Sequence, residues 1–104
     1  MSLFDVQILP EAEAEIGAAY LWYFERNPQA AIAFRDETLG SIDDLAESAA
    51  KWREDDDGTR RRLLRHFPYT VFYEIDKRTV IVLAVAHNRR NAPNLSGQMV
   101  ESKP

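Results

Sequence analysis

Histidine, arginine and carboxylate carry most of the chemistry open to this chain, because it contains no cysteine. That removes disulfides, a thiolate nucleophile, thiolate zinc sites and iron–sulfur ligation. The histidines are His66 and His87, and neither has a carboxylate at metal-ligand spacing, so no metal site is expected. His87 is followed directly by Asn88-Arg89-Arg90. A histidine beside two guanidinium groups can act as a general acid or base on a phosphodiester; it can equally be a structural residue closing the edge of a sheet. Arg60, Arg61, Arg62, Arg65, Arg89 and Arg90 supply six of the nine basic residues after position 57. Forked guanidinium groups suit bidentate recognition of phosphate or carboxylate, and they also keep strand edges soluble. Asp55-Asp56-Asp57-Gly58 resembles a cation loop only superficially. With Gly58 at the sixth position, the first ligand would be Arg53 and the twelfth Leu64, which excludes an EF-hand and leaves a solvated turn. No phosphate-binding glycine loop, serine triad or dinucleotide fingerprint is present, and no cofactor is implied.

Whatever positions these groups is one domain, since 104 residues are enough for a single core and too few for two. The net charge of −4 conceals a split: residues 1–57 hold 14 acidic and 4 basic residues, residues 58–104 hold 3 acidic and 9 basic. Either the basic half faces an anionic partner, or acidic helices sit against basic strands and cancel inside the fold. The longest apolar run, Val80 to Ala86, is far below the roughly 20 residues of a membrane span. The start, Met1-Ser2-Leu3-Phe4-Asp5, shows no secretory signal, so the expected location is the cytoplasm.

Residues Phe4 to Ile8 alternate apolar and polar and read as a short strand. Pro10 then fits the first position of a helix with Glu11, Glu13 and Glu15 near its positive end. Ile16, Ala19, Tyr20, Tyr23 and Phe24 share one helical face, whereas Trp22 falls off it and is available to a partner. Asn27-Pro28 opens a second helix running to about Ala50, its inner face being Ala31, Phe34, Thr38, Ile42, Leu45 and Ala49. A charged loop from Lys51 to Gly58 follows. Three strands are expected next: Thr59 to Phe67, Tyr69 to Asp76 with Tyr69, Val71, Tyr73 and Ile75 on one face, and Thr79 to His87. The last is apolar almost throughout and reads as a central strand covered on both faces. The order β-α-α-β-β-β, with a helical hairpin on one sheet, is α+β. Residues 1–93 then form the domain and residues 94–104 a loose tail.

The stretch Arg62-Leu63-Leu64-Arg65-His66-Phe67-Pro68-Tyr69-Thr70-Val71-Phe72-Tyr73-Glu74-Ile75, with Val80-Ile81-Val82-Leu83-Ala84-Val85-Ala86-His87-Asn88-Arg89-Arg90 after it, resembles the C-terminal half of RelE/ParE-type toxins of bacterial type II toxin–antitoxin (plasmid stabilisation) modules. Their pattern is a phenylalanine–proline–tyrosine turn, a strand ending in an aromatic, then an apolar strand ending in histidine and arginine. The helix after Pro10 and the one opened by Asn27-Pro28 agree, so the likeness spans about residues 4–93.

The resemblance implies a growth-inhibiting toxin neutralised by an antitoxin whose C-terminal segment wraps it, in a homodimer or a toxin–antitoxin heterotetramer. RelE-like members cut mRNA on the ribosome; ParE-like members act on DNA gyrase. Two positions here depart from the nuclease pattern. Thr70 stands where nucleases often carry arginine, and no aromatic follows Tyr73, so their C-terminal tyrosine is missing. Losing a cationic clamp and a proton donor removes charge stabilisation and acid–base help, each worth several kcal/mol. The ParE-like reading, inhibition of a protein such as gyrase, is therefore the leading expectation. The alternatives are a ribosome-dependent endoribonuclease and an attenuated module that only binds its antitoxin. In the nuclease case Arg65 would clamp phosphate, His87 would be the acid–base group, and Arg89 or Arg90 the transition-state cation. Partner contacts are expected at Trp22, Arg60, Arg61 and Arg62.

Overall fold

Proline and asparagine punctuate the helical part. The computed structural model describes residues 2–89, beginning with strand β1 (Asp5–Ile8) and helix α1 (Pro10–Arg26), where Pro10 occupies the first turn. Asn27 alone joins α1 to helix α2 (Pro28–Ser48): its own N–H closes on Tyr23, and its Oδ1 accepts the N–H groups of Gln29 and Ala30 at 3.0 and 3.3 Å. One side chain thus ends one helix and starts the next. A 3-10 turn, Ala49–Lys51, follows, and then strands β2 (Arg60–Leu63), β3 (Tyr69–Asp76) and β4 (Thr79–His87).

The strands form one sheet in the order β1-β4-β3-β2. β2, β3 and β4 are an antiparallel meander, whereas β1 lies parallel to β4, with Asp5 opposite Thr79 and Ile8 opposite Val82. The helical hairpin covers one face, as expected. The core comprises Ala12, Ile16 and Ala19 of α1, Phe34, Ile42 and Leu45 of α2, and Tyr69, Val71, Tyr73, Val80, Val82 and Val85 of the sheet. Phe34 sits inside an aromatic cluster, 5.4 Å from Tyr23, 5.5 Å from Phe67 and 5.0 Å from Tyr69 between ring centroids. Tyr73 is fully buried and donates its hydroxyl to the Ala49 carbonyl at 2.7 Å, so burial pushes its phenol pKa up to about 12.

Two expectations need correction. The strand expected over Thr59 to Phe67 keeps only Arg60–Leu63. Leu64 folds back through its N–H onto the Tyr69 carbonyl, and the N–H groups of Arg65 and His66 go to the Glu37 carboxylate on α2, so these donors leave the ladder. β4 is central, but on the face away from the helices Ile81 and Ala84 are only half-buried. Its side-chain alternation also breaks: Phe72 pairs with Ala84 but Tyr73 with Val82, so Leu83 is an extra, bulged residue. The bulge turns Val85 rather than Ala84 into the core, and Glu15 of α1 accepts the Val85 N–H at 2.7 Å. Arg90 and the expected tail lie outside the described residues.

A candidate site on the sheet face away from the helices

Strand alternation decides where the arginines go. Arg60 and Arg62 point toward the helix side, Arg61 to the other. The Arg60 guanidinium donates to the Trp52 carbonyl at 2.5 Å and pairs with Glu54 at 3.5 Å. The Arg62 guanidinium donates to the Ser41 carbonyl at 3.0 Å and to Asp44 at 2.7 Å, and lies 5.0 Å from the centre of the Trp52 ring. The Arg62 guanidinium and the Ser48 hydroxyl, both donating to Asp44, hold its carboxyl below the usual range, the hydroxyl contributing most. Arg60, Arg61 and Arg62 therefore do not share one rim: two of them brace the end of α2 and the loop after it. The charge split of the sequence is partly cancelled there, acidic residues of α2 and the loop meeting basic residues of β2.

Arg61 behaves differently. Its guanidinium contacts Asp55 at 2.8 Å and stands 5.5 Å from the Phe72 ring centre. Together with Leu63, Thr70, Phe72, Ala86, His87 and Asn88 it lines a half-open cavity of about 210 Å³. The strand register makes this grouping: Arg61 faces Phe72, Leu63 faces Thr70, and Thr70 faces Ala86. At its rim the Thr70 hydroxyl donates to Asn88 Oδ1 at 2.5 Å. His87 closes β4, its ring edge-on to Tyr69 at 5.2 Å, and its Nδ1 accepts the Arg89 N–H at 3.1 Å. Nδ1 being the acceptor, the proton of the neutral ring sits on Nε2.

Arg65 is not among the lining residues. It belongs to the segment between β2 and β3, which α2 holds through Glu37: the His66 Nδ1 stands 2.9 Å from one carboxylate oxygen while the N–H groups of Arg65 and His66 donate to the other. Burial alone would raise the Glu37 pKa, but these hydrogen bonds outweigh it and the net shift is downward. The stabilisation is therefore fully present above the unfolded value, near 4.5, and is lost as the pH falls through the lower folded one. Glu37→Gln is expected to flatten the fall of the thermal midpoint between about pH 5 and pH 3; an unchanged acid slope in a melting series would show that the contact contributes nothing.

Trp22 is exposed on α1, with the Arg26 guanidinium 3.9 Å from its ring centre. It is on the helical layer, away from the cavity. Leu63, Phe72, Ala86 and Asn88 also line the cavity but carry no chemical signature in the sequence; period-two alternation hints at the first two, and only the pairing register brings all four together. Among the described residues, no group of histidines and carboxylates is arranged to hold a metal ion, and no helix is long and apolar enough to cross a membrane.

A helical hairpin over one face of a four-stranded sheet is a fold that recurs in a chain of known structure. The chain superposes on a chain of the chromosomal ParDE toxin–antitoxin system from P. aeruginosa with a TM-score of 0.74, at 16% identity, over 82% of this chain and 96% of that one. No curated protein matches the sequence. The family described as ParE toxin of the type II toxin–antitoxin system, parDE, matches residues 6–92, and the chain belongs to it.

Proposed function

We propose that this ParE-family toxin component acts by binding a target protein such as DNA gyrase, and that an antitoxin neutralises it by wrapping a C-terminal segment around it. The observation that carries the reading is the cavity beside His87. Arg61 is the one cation among its lining residues, and it is already engaged by Asp55. Thr70, where a nuclease would present arginine, spends its hydroxyl on Asn88. Activation of a 2′-hydroxyl and stabilisation of the crowded phosphorus need a clamp, a base and a proton donor converging on one point. Arg65, the clamp expected for a nuclease, is not among the lining residues. The antitoxin arm is supported by the family and by the ParDE complex to which the fold is similar.

Induced expression of the chain alone tests the reading, with growth, total mRNA and plasmid supercoiling followed over the first minutes. Growth arrest with intact mRNA and altered supercoiling is expected, and it should survive His87→Ala. Cleaved mRNA at normal supercoiling would overturn it in favour of the ribosome-dependent nuclease. Unimpaired growth would leave a module that only binds its antitoxin.

A further inference from the structure

We propose that the half-open cavity on the outer sheet face is a binding site for a small aromatic carboxylate, whether a free acid or the aromatic last residue of a polypeptide. The inference goes beyond the target-binding reading and does not rest on it, because binding is read on the isolated chain with no target present. Size is the first constraint. The cavity of about 210 Å³ is below the roughly 300–1,000 Å³ of sites for drug-sized ligands, so its occupant is one ring with a short arm. The lining is apolar at the floor and polar at the rim. Phe72 and Ala86 are buried, at 5% and 3% exposure, whereas Leu63 stands 57% exposed beside them. A ring laid against Phe72 would cover Leu63 and reach the Arg61 guanidinium, which stands 5.5 Å from the Phe72 ring centre.

The rim selects the charge. Arg61 is the one cation among the lining residues, and its Nε and Nη2 both donate to a single oxygen of Asp55, at 3.2 and 2.8 Å. Asp55 thus fills the place a ligand carboxylate would take. The pair is wet, with 48% and 28% of the two side chains exposed, and such pairs contribute little, so an incoming carboxylate can exchange with Asp55. Across the sheet, Asn88 is held twice: its N–H donates to the Pro68 carbonyl at 2.8 Å, and its Oδ1 accepts the Thr70 hydroxyl. The Asn88 Nδ2 makes no hydrogen bond among the described residues, which leaves a donor for the peptide carbonyl that precedes the last residue of a chain. A phosphate fits less well. Its second charge would meet Asp55 and also Glu74, which alternation puts on the Phe72 face of β3.

The isotope-labelled full chain would be titrated with hydrocinnamate near neutral pH and followed by the amide resonances of Thr70, Phe72, Ala86 and Asn88. Saturable shifts confined to the cavity strands are expected, with a dissociation constant of about 1 mM, as suits a ligand of about eleven non-hydrogen atoms. Hydrocinnamide, propionate and inorganic phosphate should each bind at least about fivefold more weakly. Arg61→Gln should weaken binding about fivefold. Asp55→Asn should strengthen it about twofold by releasing Arg61, while the backbone bonds of residue 55 to Thr59 and Gly58 stay in place. A pair that merely braced the loop would not give these opposite signs. Leu63→Ser should weaken binding about threefold and leave the melting temperature within a few degrees of the parent. The peptide Ala-Ala-Phe with a free carboxylate separates the two sources. Binding at least about tenfold tighter than hydrocinnamate, and lost in the peptide amide and in Asn88→Ala, identifies a chain end; equal binding identifies a free acid. Equal shifts with hydrocinnamide or phosphate, weaker binding in both the Arg61 and Asp55 variants, or no saturation below about 20 mM would overturn the proposal.

Discussion

Phe34→Ala is expected to lower the stability of this domain by about 3–5 kcal/mol, the cost of emptying a large aromatic site in a packed core. Phe34 is fully buried, and its ring joins α1 through Tyr23, the β2–β3 segment through Phe67 and the sheet through Tyr69. No single neighbour can close the space without breaking its own contacts with the other two elements. Domains of this size hold about 5–15 kcal/mol in total, so the variant sits near the edge of unfolding. Urea denaturation followed by far-ultraviolet circular dichroism measures it. A loss below about 1.5 kcal/mol would mean that the cluster repacks, and Phe34→Leu should retain much of the stability.

The second large effect separates three adjacent arginines. Arg60→Ala and Arg62→Ala are each expected to cost about 2 kcal/mol, because each removes a charged donor from carbonyls that keep no other donor of that strength. The Arg60 and Arg62 side chains are only 18% and 19% exposed. Arg61→Ala should cost less than about 1 kcal/mol, since its pair with Asp55 is wet and its side chain 48% exposed. Equal losses at all three positions in the same denaturation series would contradict the division between helix side and cavity side. Toxicity assays on these variants need protein abundance measured alongside, because Arg60 and Arg62 act through the fold.

Much of the architecture was legible in the sequence because the signals were local. Pro10 and Asn27-Pro28 mark the helix starts through φ restriction and capping, and the apolar spacing of α2 names its buried face residue by residue. The candidate site was less legible. His87 and Arg61 were singled out by type, but Leu63 and Ala86 join them through strand pairing, Leu63 with Thr70 and Thr70 with Ala86, and Asn88 through the Thr70 hydroxyl. Register is set by the whole sheet, and a slip of one residue would have sent Arg60 and Arg62 to the cavity instead. The bulge at Leu83 and the early end of β2 were hidden for a related reason. Each depends on a carboxylate from a helix, Glu15 or Glu37, taking backbone donors that a strand would otherwise use.

The parallel pairing of β1 with β4 has a consequence in time. Asp5 meets Thr79 and Ile8 meets Val82, so β1 is completed by a strand some seventy residues later in the chain. The helical hairpin, built from neighbours in sequence, can form while the chain is still being synthesised, but closing the sheet must wait until β4 has emerged. Any activity that needs the finished sheet therefore begins only once β4 has been made.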